Sequence, residues 1–336
     1  MQQDKEIAFD LMRCIASIGV VAIHVISPYR QLLNEVPLND WLFAVSVDGF
    51  FRWAVPIFIM ISGALLLHDS RPFNLTYYTK RRLLKVFIPF LVWSIFYLGF
   101  SGLTYTGFNP DIIITKLQTI YKQASYYHLG FFYYFIPLYF VIPLLRPLAK
   151  SSQPLFLYLL LLAWLTATGC HLFYFDGAFT HKLVLYSGYL LFGYLLWQHP
   201  IQGVNWLLVL AGLAATITTI AMVVNLSVAN NDFTVGRWLS YKTLNRVLIA
   251  GMVFVVFLYC SRYLKGYCKK FVCFVSQYSL GLYFIHPIFL WPLKEYALYF
   301  ANPLLTIFCW VSLAGGLALL SSWLLGRNQY TKWLAP

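Results

Sequence analysis

Ile7-Ala-Phe-Asp10-Leu-Met-Arg13-Cys-Ile-Ala-Ser17-Ile-Gly-Val-Val-Ala-Ile-His24-Val-Ile-Ser27 is the stretch on which the fold turns. Its length matches the roughly 20 mostly apolar residues that cross a bilayer as a helix. Asp10 and Arg13 interrupt the apolar run and no small-residue cleavage site follows, so we expect it to be retained rather than removed as a leader. Nine further stretches of similar character follow: Val47–Leu67, Val86–Tyr105, Leu129–Leu148, Leu155–Leu172, Leu183–His199, Val204–Leu226, Leu244–Tyr263, Phe274–Leu293 and Pro303–Leu325.

The whole-chain composition agrees. Of 336 residues, 60% are hydrophobic, 19% aromatic and only 10% charged. A soluble domain carries about 25% charged residues to make its polar skin. A soluble enzyme, a disordered chain and a disulfide scaffold are excluded on this ground. A transmembrane β-barrel would alternate apolar and polar residues in stretches of about ten, whereas these runs are unbroken. The expected fold is all-α: a polytopic membrane protein of about ten helices, forming a single domain over residues 1–336. No connection between spans is long enough to hold a soluble domain.

The net charge is +13. With the N-terminus placed inside, the inner loops hold 14 basic residues, among them Lys5, Arg71, Lys80, Arg81, Arg82 and Lys85, and the outer loops hold 7. That bias predicts both termini in the cytoplasm and explains the charge without nucleic acid. Six cysteines are present. Cys268 and Cys273 have no nearby His, so neither a metal site nor a disulfide is expected.

Ionisable residues inside a membrane are costly, and each is a functional hypothesis. Arg13 and His24 lie eleven positions apart, about 20° past three full turns, hence on one helix face and about 16 Å apart along the axis. Ser17 lies between them, and Asp10 sits one turn from Arg13, within pairing reach. One reading is a neutralised Asp10–Arg13 pair with an interfacial His24. The other is a polar stripe running into a solvated cavity, with His24 in the outer half as a proton acceptor. The second span carries Arg52, Pro56, Ser62 and Gly63. Its bland reading is a snorkelling Arg and a Ser–Gly packing notch. In the ninth span Ser279, Tyr283 and His286 fall on one face, and His128 opens the fourth span. Lys80-Arg81-Arg82-Leu-Leu-Lys85 precedes the third span. It reads either as a lipid-headgroup anchor or as a site for a cytoplasmic polyanion.

Taken in order, these motifs resemble a known family. Phe9-Asp10-Leu-Met-Arg13 through His24, Arg52-x-x-x-Pro56 through Ser62-Gly63, the basic cluster before Ile88-Pro89-Phe90, Tyr127-His128-Leu129, and Tyr278-Ser279 through His286 look like the motifs of the acyltransferase-3 membrane acyltransferases. The chain is most similar to compact members of the enterobacterial common antigen O-acetyltransferase type, without an appended soluble domain. Two departures stand out: Gly130, where relatives often carry Trp, and Lys85, where many carry Arg.

The resemblance implies transfer of an acyl group, most simply acetyl, from cytoplasmic acyl-CoA to a hydroxyl of an extracytoplasmic or lipid-linked glycan, in a bacterial cytoplasmic membrane. His24 would be the catalytic base or a transient acyl carrier, and Arg13 would meet the donor arm or polarise the thioester. Arg81, Arg82 and Lys85 would hold the diphosphate of acetyl-CoA. Arg52, His128, Ser279, Tyr283 and His286 would bind the acceptor, with Asp10, Ser62 and Gly63 in support. Expected partners are acyl-CoA, the glycan and membrane lipids, without metal. A succinyltransferase of the same family, a transporter or flippase, a lipid-dependent glycosyltransferase and a non-catalytic partner of a glycan assembly are the alternatives. The absence of an internal repeat and of paired acidic residues weighs against the transporter and the glycosyltransferase.

Overall fold

The computed structural model describes residues 2–69, 71–150 and 154–335, with side chains from Ile7 onward except that of Gln202. The side chain of Lys5, one of the expected inner charges, lies outside the described residues. The elements are, in order, α1 Gln2–Ile26, α2 Leu38–Phe51, α3 Ala54–Leu67, α4 Leu75–Tyr78, α5 Leu84–Phe100, a small hairpin of β1 Leu103–Thr104 and β2 Gly107–Phe108, α6 Pro110–Thr119, α7 Phe132–Ala149, α8 Pro154–Leu172, α9 Lys182–Gln198, α10 Gln202–Asn230, α11 Leu244–Cys260, α12 Gly266–Gln277, α13 Ser279–Glu295 and α14 Pro303–Arg327. The protein is an all-α polytopic bundle, as expected.

Local chemistry sets the boundaries. Asn74, Asn109 and Asn302 accept from the backbone N–H groups that open α4, α6 and α14, and proline follows the last two caps at the position where its missing N–H costs nothing. Asn231 closes α10 in the left-handed conformation. The expected second span begins earlier than Val47: α2 and α3 run nearly continuously from Leu38 to Leu67. The break between them falls at Arg52 and Trp53, where Pro56 can neither donate to the Arg52 carbonyl nor sit beside it without a clash.

Among the described residues, eight helical stretches are long and apolar enough to cross a membrane, and nine if the bent pair α12–α13 counts as one. Two of the ten expected spans fall outside the count of eight. The ninth expected span is broken, with α12 and α13 meeting at 74°. The sixth, α9, has only 17 residues. Its surroundings account for that length: it lies inside the bundle, packed by α3, α7, α8 and α11, and nearly every residue from Leu185 to Leu196 is buried. A helix sheathed by protein need not match the hydrocarbon thickness.

Small residues make that sheath tight. A Cβ on Gly63 would collide with the carbonyl of Leu190, and one on Gly193 with the carbonyl of Met60. Each helix of the α3–α9 pair thus presents a glycine to the other's backbone. The packing notch expected at Gly63 is therefore present, and it is reciprocal. Close backbone approach of this kind is what drives helix association where lipid removes the hydrophobic drive.

Candidate active site

At the bundle end where α1 begins, a cavity of about 420 Å³ opens between α1, α3, α5, α7 and α13. Arg13, Ser62, Arg81, Arg82, Lys85 and Ser279 all line it, with Tyr139 and Phe135 as apolar wall. Residues expected from four separate motifs therefore share this inner chamber. Arg13 is 3.5 Å from Asp10, and Asp10 in turn accepts from Ser276 Oγ at 2.6 Å and lies 3.7 Å from Cys273 Sγ. Asp10 is thus anchored to α12, and Arg13 projects from an anchored carboxylate toward the cavity. The basic cluster reaches the chamber because Thr79–Leu83 forms one π-helical turn ahead of α5, a local widening often found at functional sites. Among the described residues Arg82 makes no hydrogen bond or ion pair. Ser62 Oγ donates to the Phe58 carbonyl and Ser279 Oγ to the Ser276 carbonyl.

A second cavity, of about 230 Å³, lies further along α1. His24 and His128 line it, with Tyr127, Tyr134, Tyr186, Tyr241 and Tyr283. His286 stacks on His24 with ring centres 5.4 Å apart, and His128 lies 5.5 Å from His286. The turn of backbone Tyr127–Phe131 that precedes α7 carries His128 inward. Both ring nitrogens of His128 and Nε2 of His286 are buried without a protein partner. Nδ1 of His286 lies 3.1 Å from the Leu282 carbonyl, which leaves Nε2 as the acceptor nitrogen if Nδ1 donates. Tyr283 donates to the His128 carbonyl at 2.7 Å. A third cavity of about 590 Å³, lined by Lys122, His181, Lys182 and Tyr133, adjoins this outer chamber and shares Gly130, Tyr134 and Tyr186 with it. No side-chain atom would meet a Cβ on Gly130 within 4 Å, so the missing side chain leaves open space.

The two chambers meet at two side chains. Phe131 and Tyr283 line both and form the septum between them. This corrects the expectation of one solvated stripe from Arg13 to His24. Ser17, the middle member, is fully buried and donates to the Cys14 carbonyl of its own helix. It adds no polar surface between the chambers. The second stripe divides in the same way: Ser279 faces the inner chamber, Tyr283 the septum, and His286 the outer histidines.

Arg52 is not brought to any of these cavities. It is held by Asp48, with Nε–Oδ2 at 3.0 Å. Asp48 is fully buried and also takes Arg30 at 3.2 Å. The nearby Arg246 is fully buried and donates to the Gly49 carbonyl. Arg52 sits one residue behind the outer chamber, 5.9 Å from the Tyr241 ring. Its geometry is that of a brace between α2 and the Leu239 carbonyl. The spacing Asp48-x-x-x-Arg52 was the signal for that pairing.

Three site residues were not singled out from sequence. Lys294 places its ammonium 3.6 Å from the Tyr127 ring centre, and Tyr127 in turn lies 4.7 Å from His24. Phe131 forms half of the septum. Beside the inner chamber, Asp69 is gripped by Arg71 through bonds of 2.6 and 2.9 Å. Those hydrogen bonds hold its carboxyl down at about 2, so it is ionised at any physiological pH.

Comparison with known proteins follows the same lines. A family model described as an acyltransferase domain matches residues 6–327. The succinoglycan biosynthesis protein ExoH of Rhizobium meliloti (strain 1021) is 31% identical over 115 residues, which is 31% of this chain and 30% of that protein. YfiQ of Bacillus subtilis (strain 168), provisionally titled a membrane-bound acyltransferase, is 26% identical over 304 residues, covering 83% of this chain and 80% of its own. No solved structure matches the chain.

Proposed function

The chain belongs to this family of membrane acyltransferases, and from that premise we propose that it carries an acetyl group from acyl-CoA at the cytoplasmic face to a hydroxyl of a glycan presented at the other face. The observation that carries the reading is the pair of chambers: Arg13 with three basic residues on one side, His24 with two further histidines on the other, and two side chains between. The cationic chamber suits a polyanionic donor. The outer chamber, walled by tyrosines and adjoining a third cavity, suits a saccharide with apolar ring faces and hydroxyl edges. The glycan link in ExoH's name points the same way.

Distance supports a division of roles. Arg13 and His24 stand about 16 Å apart along α1, too far to hold one carbonyl together. Arg13 therefore grips the flexible arm of the donor, while the acyl end passes the septum and meets His24. Phe131 and Tyr283 must part for this step, a gating motion of the kind that sequesters many active sites. His24 takes the proton of the acceptor hydroxyl, the oxygen attacks the thioester carbonyl, the C–S bond breaks, and the departing thiolate recovers the proton. The orphaned Nε2 of His286, stacked on His24, would orient the hydroxyl. Arg52 supports the outer wall rather than the acceptor.

Substitution tests the assignment. His24→Ala should abolish glycan acylation while leaving membrane insertion and protein level unchanged, and Arg82→Ala should weaken acyl-CoA binding more than acceptor binding. Normal acylation by the His24 variant, or a loss of acceptor binding alone in the Arg82 variant, would contradict it. Mass spectrometry of glycans from a deletion strain and its parent identifies the acyl group: loss of a mass increment of about 42 Da is acetyl, and a larger one indicates succinyl.

A further inference from the structure

A fourth cavity, of about 220 Å³, lies beside the inner chamber and shares Leu66 and Arg82 with it. We propose that it seats the 3′-phosphorylated adenine nucleotide end of the donor, with Arg82 at the junction where the nucleotide gives way to the arm. The proposal rests on acyl-CoA as the donor and adds a place for its nucleotide end.

Charge is the first argument. Arg71, Arg82 and Arg146 surround the cavity and face a single carboxylate, Asp69. Asp69 is gripped by Arg71 and also lies 3.8 Å from Arg146, so three guanidinium groups share one carboxylate and two positive charges remain in excess. Arg82 makes no hydrogen bond or ion pair among the described residues. Arg146 is only 8% exposed. It donates to the Asp69 carbonyl at 2.7 Å and to the Arg71 carbonyl, yet its Nε is buried with no acceptor. A buried guanidinium nitrogen without an acceptor is costly, and a phosphate oxygen would satisfy it.

Flat surfaces are the second argument. Phe73 and Tyr77 are 45% and 46% exposed and line the cavity together. The Arg71 guanidinium lies 5.1 Å over the Tyr77 ring, and that of Arg146 5.7 Å over Phe73. Exposed rings flanked by guanidinium planes form a platform for a purine. A lipid headgroup offers the phosphate but no ring to lie on that platform, so the nucleotide fits the whole cavity and the lipid only its charge.

Competition binding on the purified, detergent-solubilised protein tests this. The probes are acetyl-CoA, S-acetylpantetheine, which lacks the nucleotide, and adenosine 3′,5′-bisphosphate, which lacks the arm. In the wild type, the bisphosphate should displace labelled acetyl-CoA, and acetyl-CoA should bind at least about tenfold more tightly than S-acetylpantetheine, the scale of one stacked base. Phe73→Ala and Tyr77→Ala should close that gap and weaken displacement by the bisphosphate, with the melting temperature of each variant confirming that it is folded. Retention of the full gap in both variants would overturn the nucleotide site and leave the donor assignment standing. Displacement by phosphatidylglycerol vesicles but not by the bisphosphate would make the cavity a lipid site and overturn it equally. A wild type that binds no acetyl-CoA would overturn the donor assignment itself, and the nucleotide site with it.

Discussion

Arg13 offers two roles that kinetics can separate. As an oxyanion donor it would act only in the transition state, and its loss would lower kcat about 10²–10³-fold. As a grip on the donor arm it binds ground state and transition state alike, and its loss raises KM. Its place in the inner chamber, with His24 behind the septum, favours the second. Arg13→Lys keeps the charge but not the planar fork. The expected result is a rise of about tenfold in KM for acyl-CoA with kcat little changed, measured by initial rates over a donor concentration series. A fall in kcat at unchanged KM would return Arg13 to the reacting carbonyl. Sequence alone carried the residue this far: its burial cost, its spacing to His24 and its pairing with Asp10 are all properties of one helix. Arg52 was harder, because its partner Asp48 lies inside an apolar run, and only burial of that carboxylate between two arginines distinguishes a brace from a binding group.

Among the elements, the short turn Tyr127–Phe131 does the most for the site. It points His128 into the outer chamber and sets Phe131 against Tyr283 of α13. Residues so far apart in the chain form the septum only through packing, which no local periodicity encodes. Helix patterning located both stripes but could not show that they are cut in the middle. On the proposed reading, Phe131 and Tyr283 would also shield a donor held in the inner chamber from water of the outer one. Phe131→Ala should therefore raise acyl-CoA hydrolysis in the absence of acceptor by severalfold, followed as thiol release. Hydrolysis at the wild-type rate would show that these side chains do not hold back water. The loop from His68 to Lys85 shows the opposite limit of legibility. Its cations were evident as an anchor or a polyanion site, whereas the cavity they form with Arg146 of α7 depends on a contact across 75 residues.

At the scale of the molecule, composition was enough to give the class, since 10% charged residues cannot clothe a soluble surface. Span counting was less secure. A 17-residue helix enclosed by its neighbours and a span bent by 74° are tertiary facts, and both lie at the site's walls. Their combined effect is a bundle with a cationic chamber opening toward one end and a histidine chamber backed by a third cavity toward the other. Such a layout makes sense for a reaction whose two substrates never share a compartment. Transfer between faces can be measured with purified protein reconstituted into vesicles of known orientation. Radiolabelled acyl-CoA is supplied only at the face of Arg81 and Arg82, and the glycan acceptor only at the face of Lys122 and Lys182. Label on the acceptor with matching consumption of thioester, absent in His24→Ala, is the expected result. Transfer only when both substrates share one face, or passage of glycan with the thioester intact, would contradict it.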